Sequence, residues 1–547
     1  MNKKVFKSGE IFIWFAGLGL GATIIMISGV LLLILLNSSE YLLPPKLFQI
    51  QTKEGEKFLG NLITSESFTK ELVDRESKPQ KSERYKYKIG NREIYGLDFR
   101  WFDKNEIVKS EQPESTYIFE RTELGNFFGY VKELRVDGEI RVSGENEISI
   151  VLNDYLDTLS RLRKEMTRIE KNVIGDLNYD IESSRLEIKI LEYQNRDNLQ
   201  KVESQIAGLN KKIDDSNNRY HLIENRVDSL REFAGKYNLT VQTANGDERD
   251  IPLLNIIRAY QPNRMSFFTQ AGFVISKIFE FIFDDPRESN TEGGVFPALF
   301  GTVMMVILMS IAVVPFGVIA ALYLREYAKQ GPLVRIVRIA VNNLAGIPSI
   351  VFGIFGLGFF IYFVGGTIDQ IFYPEHLPNP TLGTGSILWA SLTLALLTMP
   401  VVIVSTEEAL ATIPRGMREA SLALGSTKWQ TIRRVVLPAA TPGILTGVIL
   451  AMARGAGEVA PLMITGVVKL APSLPFDWRF PFFHLDRKFM HLGFHIYDVG
   501  FQSPNVEAAM PMVYMTTLLL IFLVILLNIT AMIIRARLRK KYKSSTF

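Results

Sequence analysis

Long apolar runs separated by charged stretches set the pattern of this chain. A helix needs about 20 mostly apolar residues to cross a hydrocarbon core of roughly 30 Å. Six runs meet that length. Ile11–Leu36, Val295–Leu324, Ala340–Ile368, Ser386–Thr406 and Met510–Ile534 contain no Asp, Glu, Lys or Arg. The sixth, Ala439–Val468, carries Arg454 and Glu458 within the string AMARGAGEVAPL. The pattern predicts an all-α polytopic membrane protein with six transmembrane helices. The first run is far longer than the ~7–15 apolar residues of a secretory signal and reads as an uncleaved anchor.

Between the first and second runs the pattern changes. Residues 37–147 mix charged residues with short β-prone strings such as YKYKIG, IYGLDFRWF and TYIFE, which predicts a small sheet-containing region. Over 148–236 the apolar spacing becomes helical. Leu199, Val202, Ile206, Leu209 and Ile213 are spaced 3-4-3-4, and the phase continues through Ser216 to Tyr220, Ile223, Val227 and Leu230. Leu159, Leu162, Met166, Ile169 and Val173 keep the same spacing upstream, and the phase slips between Val173 and Ile174. Two such seams in series predict an antiparallel coiled-coil hairpin turning at Gly175–Asp180 or Gln194–Asn198; a seam does not say whether its partner helix belongs to the same chain. Residues 237–294 read as a return segment, in which Phe267–Phe283 is apolar on one face yet holds Lys277 and Glu280, the pattern of an interfacial helix. Residues 295–547 hold the other five runs.

Charge gives the orientation. The chain of 547 residues has a net charge of +4, 47% hydrophobic residues and 22% charged ones, an average that hides the segregation just described. Basic residues gather in four places: Lys3, Lys4 and Lys7; Arg325, Lys329, Arg335 and Arg338; Arg415, Arg418, Lys428, Arg433 and Arg434; and the tail Arg535, Arg537, Arg539, Lys540, Lys541 and Lys543. If all six runs span, these four lie on one side, which the positive-inside bias makes cytoplasmic. Both termini then face the cytoplasm and the large insert faces outward. The basic tail is accounted for by orientation and anionic lipid, so no nucleic-acid partner is expected.

Candidate chemistry is sparse. No GxxxxGK[ST] is present, so ATP would have to bind elsewhere. The absence of cysteine excludes disulfides and thiolate sites. His484, His491 and His495 lie in the loop between the fifth and sixth runs. In HLGFH two histidines stand four apart, as a metal on a helix would want, but Gly493 weakens that helix; loop packing or partner contact is the reading taken, and no metal is expected.

The loop at about 407–438 is the most informative. Glu419, Ala420 and Ser421 are followed by three residues and Gly425, then nine residues and Val435-Val436-Leu437-Pro438. This spells a helix, a glycine break and a second helix ended near Pro438, a shape suited to docking. The spacing E-A-S-x3-G-x9-V-x-L-P resembles the EAA loop of ABC-importer permeases, with Ser421 for the second alanine and Val435 for isoleucine. NNLAGIPSIVFG at Asn342–Gly353, REYAKQG at Arg325–Gly331, ARGAGEVAPL at Ala453–Leu462 and the segment Leu470–Asn505 are similar to phosphate-importer permeases of the PstA type. The insert departs from the short form of that family. The resemblance implies a non-catalytic membrane subunit in the bacterial inner membrane, its insert in the periplasm. It implies a second permease subunit of the PstC type, a cytoplasmic ATPase dimer holding ATP and Mg, an extracytoplasmic phosphate-binding protein, and contact with membrane lipid. Glu419, Ala420, Ser421, Gly425, Leu437 and Pro438 would then couple this chain to the ATPase.

Arg454 and Glu458, four apart, are expected on one helix face. Charges inside a span usually face the bundle interior or a water-filled path. Counted from Ala439, Arg454 lies ~22 Å along the helix at 1.5 Å per residue. One reading is a self-neutralising pair. The other is an anion way-station: guanidinium forks phosphate oxygens, and a carboxylate accepts the proton of hydrogen phosphate, which sulfate lacks. Gly455 and Gly457 would allow close helix approach. The expected function is phosphate import by alternating access. The rivals are a permease for another oxyanion, molybdate or sulfate, and an envelope scaffold or sensor built on the coiled coil.

Overall fold

The structure, a computed structural model, describes residues 10–70 and 80–543; Lys3, Lys4 and Lys7 lie outside them. The chain forms two compact units, Met1–Tyr41 with Glu280–Phe547, and Leu42–Phe279.

Among the described residues of the first unit six helices are long and apolar enough to cross a membrane: Phe12–Leu42, Phe296–Tyr327, Ser349–Phe372, Ile387–Ala411, Lys428–Gly457 and Val506–Lys540. The fourth is the most enclosed and packs against the second and fifth. Met305, Met309 and Val313 of the second span meet Ala390, Leu394 and Val402 of the fourth and Ala451 of the fifth in one core. The first span is apolar all round and exposed over most of its length, as a helix facing lipid would be, with Ile34 and Ser38 buried near its end.

Two spans differ from the sequence pattern. The run Ala340–Ile368 is not one helix. An amphipathic helix, Pro332–Leu344, ends before a turn, and the span begins at Ser349. Pro348 is the reason, because a proline pushes the residue before it out of the helical region. The run Ala439–Val468 also breaks. Its helix Leu437–Gly457 stops at Glu458, which has φ −78° and ψ 135°, and a short helix, Ala460–Thr465, follows.

The second unit is built on two antiparallel sheets. β1 (Phe48–Thr52), β2 (Lys57–Lys70), β3 (Gln80–Lys88), β4 (Phe99–Asp103) and β5 (Ile107–Glu111) form one, in the order β4-β3-β2-β1-β5. The other contains β6 (Tyr117–Arg121), β7 (Phe127–Val136), β8 (Glu139–Ser143), β9 (Tyr237–Gln242), β10 (Glu248–Pro252) and β11 (Ile256–Tyr260), in the order β10-β9-β7-β6-β11 with β8 on β7. Tyr237–Tyr260 is therefore largely sheet, although the sequence placed it in the return segment.

Between β8 and β9 the chain runs through helices Glu145–Arg168, Gly175–Gln194 and Glu203–Gly235. The chain reverses at Asn195–Asn198, so Gly175–Asp180 is not the turn. Val202, which caps the last helix, and Ile206, Leu209, Ile213, Ser216, Tyr220, Ile223, Val227, Leu230 and Ala234 along it are each buried or half-buried, a continuous 3-4 seam. It lies against the outgoing helices of the same chain, with Arg226 reaching Glu165 at 3.1 Å. The phase slip falls in a π-helical stretch, Ile169–Ile174, which takes up an extra residue and lets Leu177, Ile181 and Ser184 return to the seam. At the base, Ile148, Leu152 and Leu156 pack on Phe119, Leu134 and Leu239 of the sheet.

Helix Phe267–Phe283 is turned inside out relative to a water-facing helix. Phe267, Phe268, Ile275 and Phe279 are exposed, whereas Lys277 is buried and donates to Glu120 at 2.7 Å. Glu280 is also buried and accepts from Arg287 at 2.6 Å.

Candidate functional site

The loop after the fourth span folds as a knob. Helix Arg415–Ala423 ends in a left-handed residue, Gly425, at φ +81°. Ser426 N–H donates to Ser421 O and Gly425 N–H to Leu422 O, the paired bonds of a Schellman stop. Thr427 then caps the next turn: its Oγ1 accepts from Gln430 N–H, and its own N–H donates to Gln430 Oε1 at 2.9 Å. Ser421 is buried, and its hydroxyl meets that of Thr431 at 2.9 Å, tying the two arms together. An alanine there would lack that tie.

Basic residues that the sequence marked only for orientation hold the knob to the bundle. Arg418 donates to Glu326 at 2.9 Å and to the carbonyls of Leu410 and Ile413. Lys428 donates to Glu326 O and sits over the ring of Tyr327. Beside the knob, Arg338 ties helix Pro332–Leu344 to the fourth span by engaging Glu407 through Nε and Nη2. The partner positions Glu326 and Tyr327 belong to REYAKQG, whose likeness was visible but whose contacts were not. The outer surface of the knob leaves Glu419, Ala420, Leu422, Leu424 and Trp429 exposed. Leu437 and Pro438, at the end of the motif, lie inside the fifth span, where the π-helical turn Ile432–Val436 passes into the helix Leu437–Gly457, so the second helix does not end near Pro438.

The structure brings Arg454 and Glu458 together, but not across an intact helical turn. Glu458 lies just past the helix end, and its carboxylate is 3.4 Å from Arg454 Nε. Among the described residues Arg454 has no other hydrogen-bond partner, so both of its Nη groups are uncommitted. Its side chain is 35% exposed and that of Glu458 20%. The carbonyl end of the helix, carrying partial negative charge, favours a guanidinium in the last turn. A Cβ on Gly455 would lie 2.5 Å from Met309 Sδ, so close approach is built in there; Gly457 has open space around it.

The break is packed from two sides. A Cβ on Gly353 would lie 2.8 Å from Pro461 Cα, and one on Gly493 2.7 Å from Val459 Cγ2. Gly493 belongs to the short helix Leu492–Tyr497, so the loop before the sixth span seats directly on the broken segment. His491 caps that helix, its Nδ1 accepting from Gly493 N–H at 3.1 Å. His491 and His495 are buried, and burial pushes their pKa values down to about 3 and about 4; a nearby Lys469 adds to the effect on His495. His484 is elsewhere, against Asp477 at 2.8 Å. Among the described residues no group of three His, Asp or Glu could hold a metal.

Residues 313–544, which contain both the knob and the break, match the family described as "Binding-protein-dependent transport system inner membrane component". Over 238 residues the chain is 31% identical to the probable ABC transporter permease protein YqgI of Bacillus subtilis, covering 42% of this chain and 74% of that one. The chain belongs to this family of inner-membrane transport components. Over 186 residues it is 42% identical to the phosphate transport system permease protein PstA of Mycobacterium leprae, covering 34% of this chain and 54% of that protein. The chain spans about half the length of the PstA relatives it matches. A solved structure of the MetNI methionine ABC transporter, facing inward, is similar over 45% of this chain and 94% of its own, at 23% identity and a TM-score of 0.31. The matched residues leave out the insert, so the family assignment rests on the helical bundle alone.

Proposed function

We propose that this permease moves inorganic phosphate into the cytoplasm as one membrane subunit of an ABC importer. Its partners would be a PstC-type permease, a cytoplasmic ATPase dimer and an extracytoplasmic phosphate-binding protein. Similarity to proteins named as phosphate permeases supports the substrate class. At the level of geometry one observation carries it: the Arg454 guanidinium at the helix break has both Nη groups uncommitted, a fork matched to phosphate oxygens. Broken helices of this kind occur at transporter substrate sites because only a cavity tolerates irregular backbone at membrane depth.

In this reading the exposed knob, Glu419 to Gly425, docks on the ATPase. Closure of the ATPases on ATP moves the knob, and the bonds from Arg418 and Lys428 to Glu326 carry that motion into the second span. The basic loops face the cytoplasm and the insert faces outward. Helix Phe267–Phe283 lies on the bilayer surface, with Phe268, Ile275 and Phe279 toward lipid. The deciding experiment is radiolabelled phosphate uptake in a strain lacking this chain, with sulfate and molybdate as competitors. Phosphate uptake should fall on deletion and return with the gene. Competition by sulfate or molybdate as strong as by phosphate would assign another oxyanion, and unchanged uptake would leave a scaffold or sensor.

A further inference from the structure

A cavity of about 570 Å³ opens where the fourth, fifth and sixth spans end beside the knob. Its mouth carries Arg434 and Arg539, from two different helices. Both are exposed. Apart from exposed Thr412 the rest of its lining is apolar, with Ile413 and Ala440 buried, and it follows the fifth helix as far as Gly443. Nine residues separate Arg434 from Gly443, roughly 13 Å of helix at 1.5 Å per residue. The cavity is therefore cationic at its mouth and greasy in its depth.

From this gradient we infer that the cavity binds an anionic phospholipid, its phosphodiester held between Arg434 and Arg539 and an acyl chain lying along Ile413 and Pro438. Basic pockets between membrane helices suit anionic headgroups, and planar guanidinium groups suit phosphate oxygens. A free phosphate ion would use the same two arginines but leave the apolar wall uncovered; the wall decides for lipid. Because Met417 belongs to the knob helix, the bound lipid would brace the knob from beneath. The inference does not depend on what the permease carries.

The test is lipid retention by the purified full chain in detergent supplied with equal phosphatidylglycerol and phosphatidylcholine, read by native mass spectrometry. A basic residue near a membrane surface contributes a factor of about five, so two predict roughly thirtyfold preference for phosphatidylglycerol. R434Q/R539Q should abolish the preference, bringing it to about onefold. R433Q/R537Q removes the same charge from exposed neighbours outside the cavity and should leave it intact. Single R434Q and R539Q variants, each expected to lose about fivefold, keep the test decisive if the double variant does not insert. Equal loss in both double variants, no loss in R434Q/R539Q, or displacement of phosphatidylglycerol by inorganic phosphate at fixed ionic strength would each overturn the inference.

Discussion

Replacing Arg454 by alanine separates the two readings of the charged pair, because they predict effects of different size. The pair is joined by one contact, Nε to Oε1 at 3.4 Å, with 35% of the arginine side chain and 20% of the glutamate exposed. A single-contact pair of that kind is worth about 0–1 kcal/mol. If pairing is its whole role, Arg454→Ala should shift stability by less than that and leave transport near normal. If the free Nη groups hold substrate, the variant loses hydrogen bonds to a charged group, about 1.5–3 kcal/mol. At about 1.4 kcal/mol per tenfold, uptake should fall roughly 10- to 150-fold. The assay is initial-rate phosphate uptake below saturation, in a strain lacking the native chain, with membrane amounts matched. Arg454→Lys should rescue only in part, because an ammonium lacks the planar fork. Glu458→Gln should weaken discrimination against sulfate more than it weakens phosphate uptake. Less than a threefold loss in Arg454→Ala, or full uptake with unchanged selectivity in the swapped variant Arg454→Glu/Glu458→Arg, would refute the substrate-contact reasoning.

Three further predictions address other parts of the chain. Gly425 sits at φ +81° with open space around it, so Gly425→Val pays only the left-handed backbone cost, about 1–2 kcal/mol; it should deform the knob and reduce ATPase co-purification, while Gly425→Asn, which tolerates that conformation, should restore it. Replacing residues 170–226 by a short turn removes the distal seam but keeps Ile148, Leu152 and Leu156 on the sheet; uptake should stay within a few-fold, and complete loss in a normally inserted chain would place the hairpin in the transport path. Buried neutral His491 and His495 have pKa values below the unfolded value of about 6.5, so the unfolded state binds more protons in between; thermal stability in detergent should be flat above pH 6.5. It should then fall by up to about 1.4 kcal/mol per pH unit per histidine as pH drops toward 4. A His491→Asn/His495→Gln variant should lose that slope, and an equal slope in the variant would assign it to other groups.

Length and apolarity made the six spans legible, because crossing a bilayer is a composition requirement. Where a span breaks is decided by a few backbone angles, and composition does not carry those. Pro348 was a visible warning within the third run, but the stop at Glu458 depends on Gly493 seating against Val459 and Gly353 against Pro461. The 3-4 seam was readable because every position from Val202 to Leu230 had to hide. The turn was narrowed to two places, and Gln194–Asn198 is the one that holds; Gly175 reads as a breaker yet lies in a helix whose neighbours Leu177 and Ile181 are buried. Sheet pairing was the least legible. β7 pairs with β9 across the whole helical excursion, and Glu120 finds Lys277 at a separation of 157 residues. The EAA-like motif located the knob, while the Arg418–Glu326 staple required the fold.

The inside-out helix has a practical consequence for anyone isolating the sheet-bearing unit. Ending the fragment before Phe267 removes Lys277 and takes from Glu120 its closest cation, a buried carboxylate at 7% side-chain exposure. Ending it after Phe279 keeps that partner but leaves Phe267, Phe268, Ile275 and Phe279 bare to water. The first fragment is destabilised from within: Glu120 keeps Arg258, at 3.6 Å, as a cation, so the cost is below the about 3–5 kcal/mol of a fully unpaired buried charge. The second self-associates through its surface. A well-behaved fragment must therefore keep the helix and repaint its outer face, with Phe268, Ile275 and Phe279 changed to polar residues, or be handled in detergent throughout.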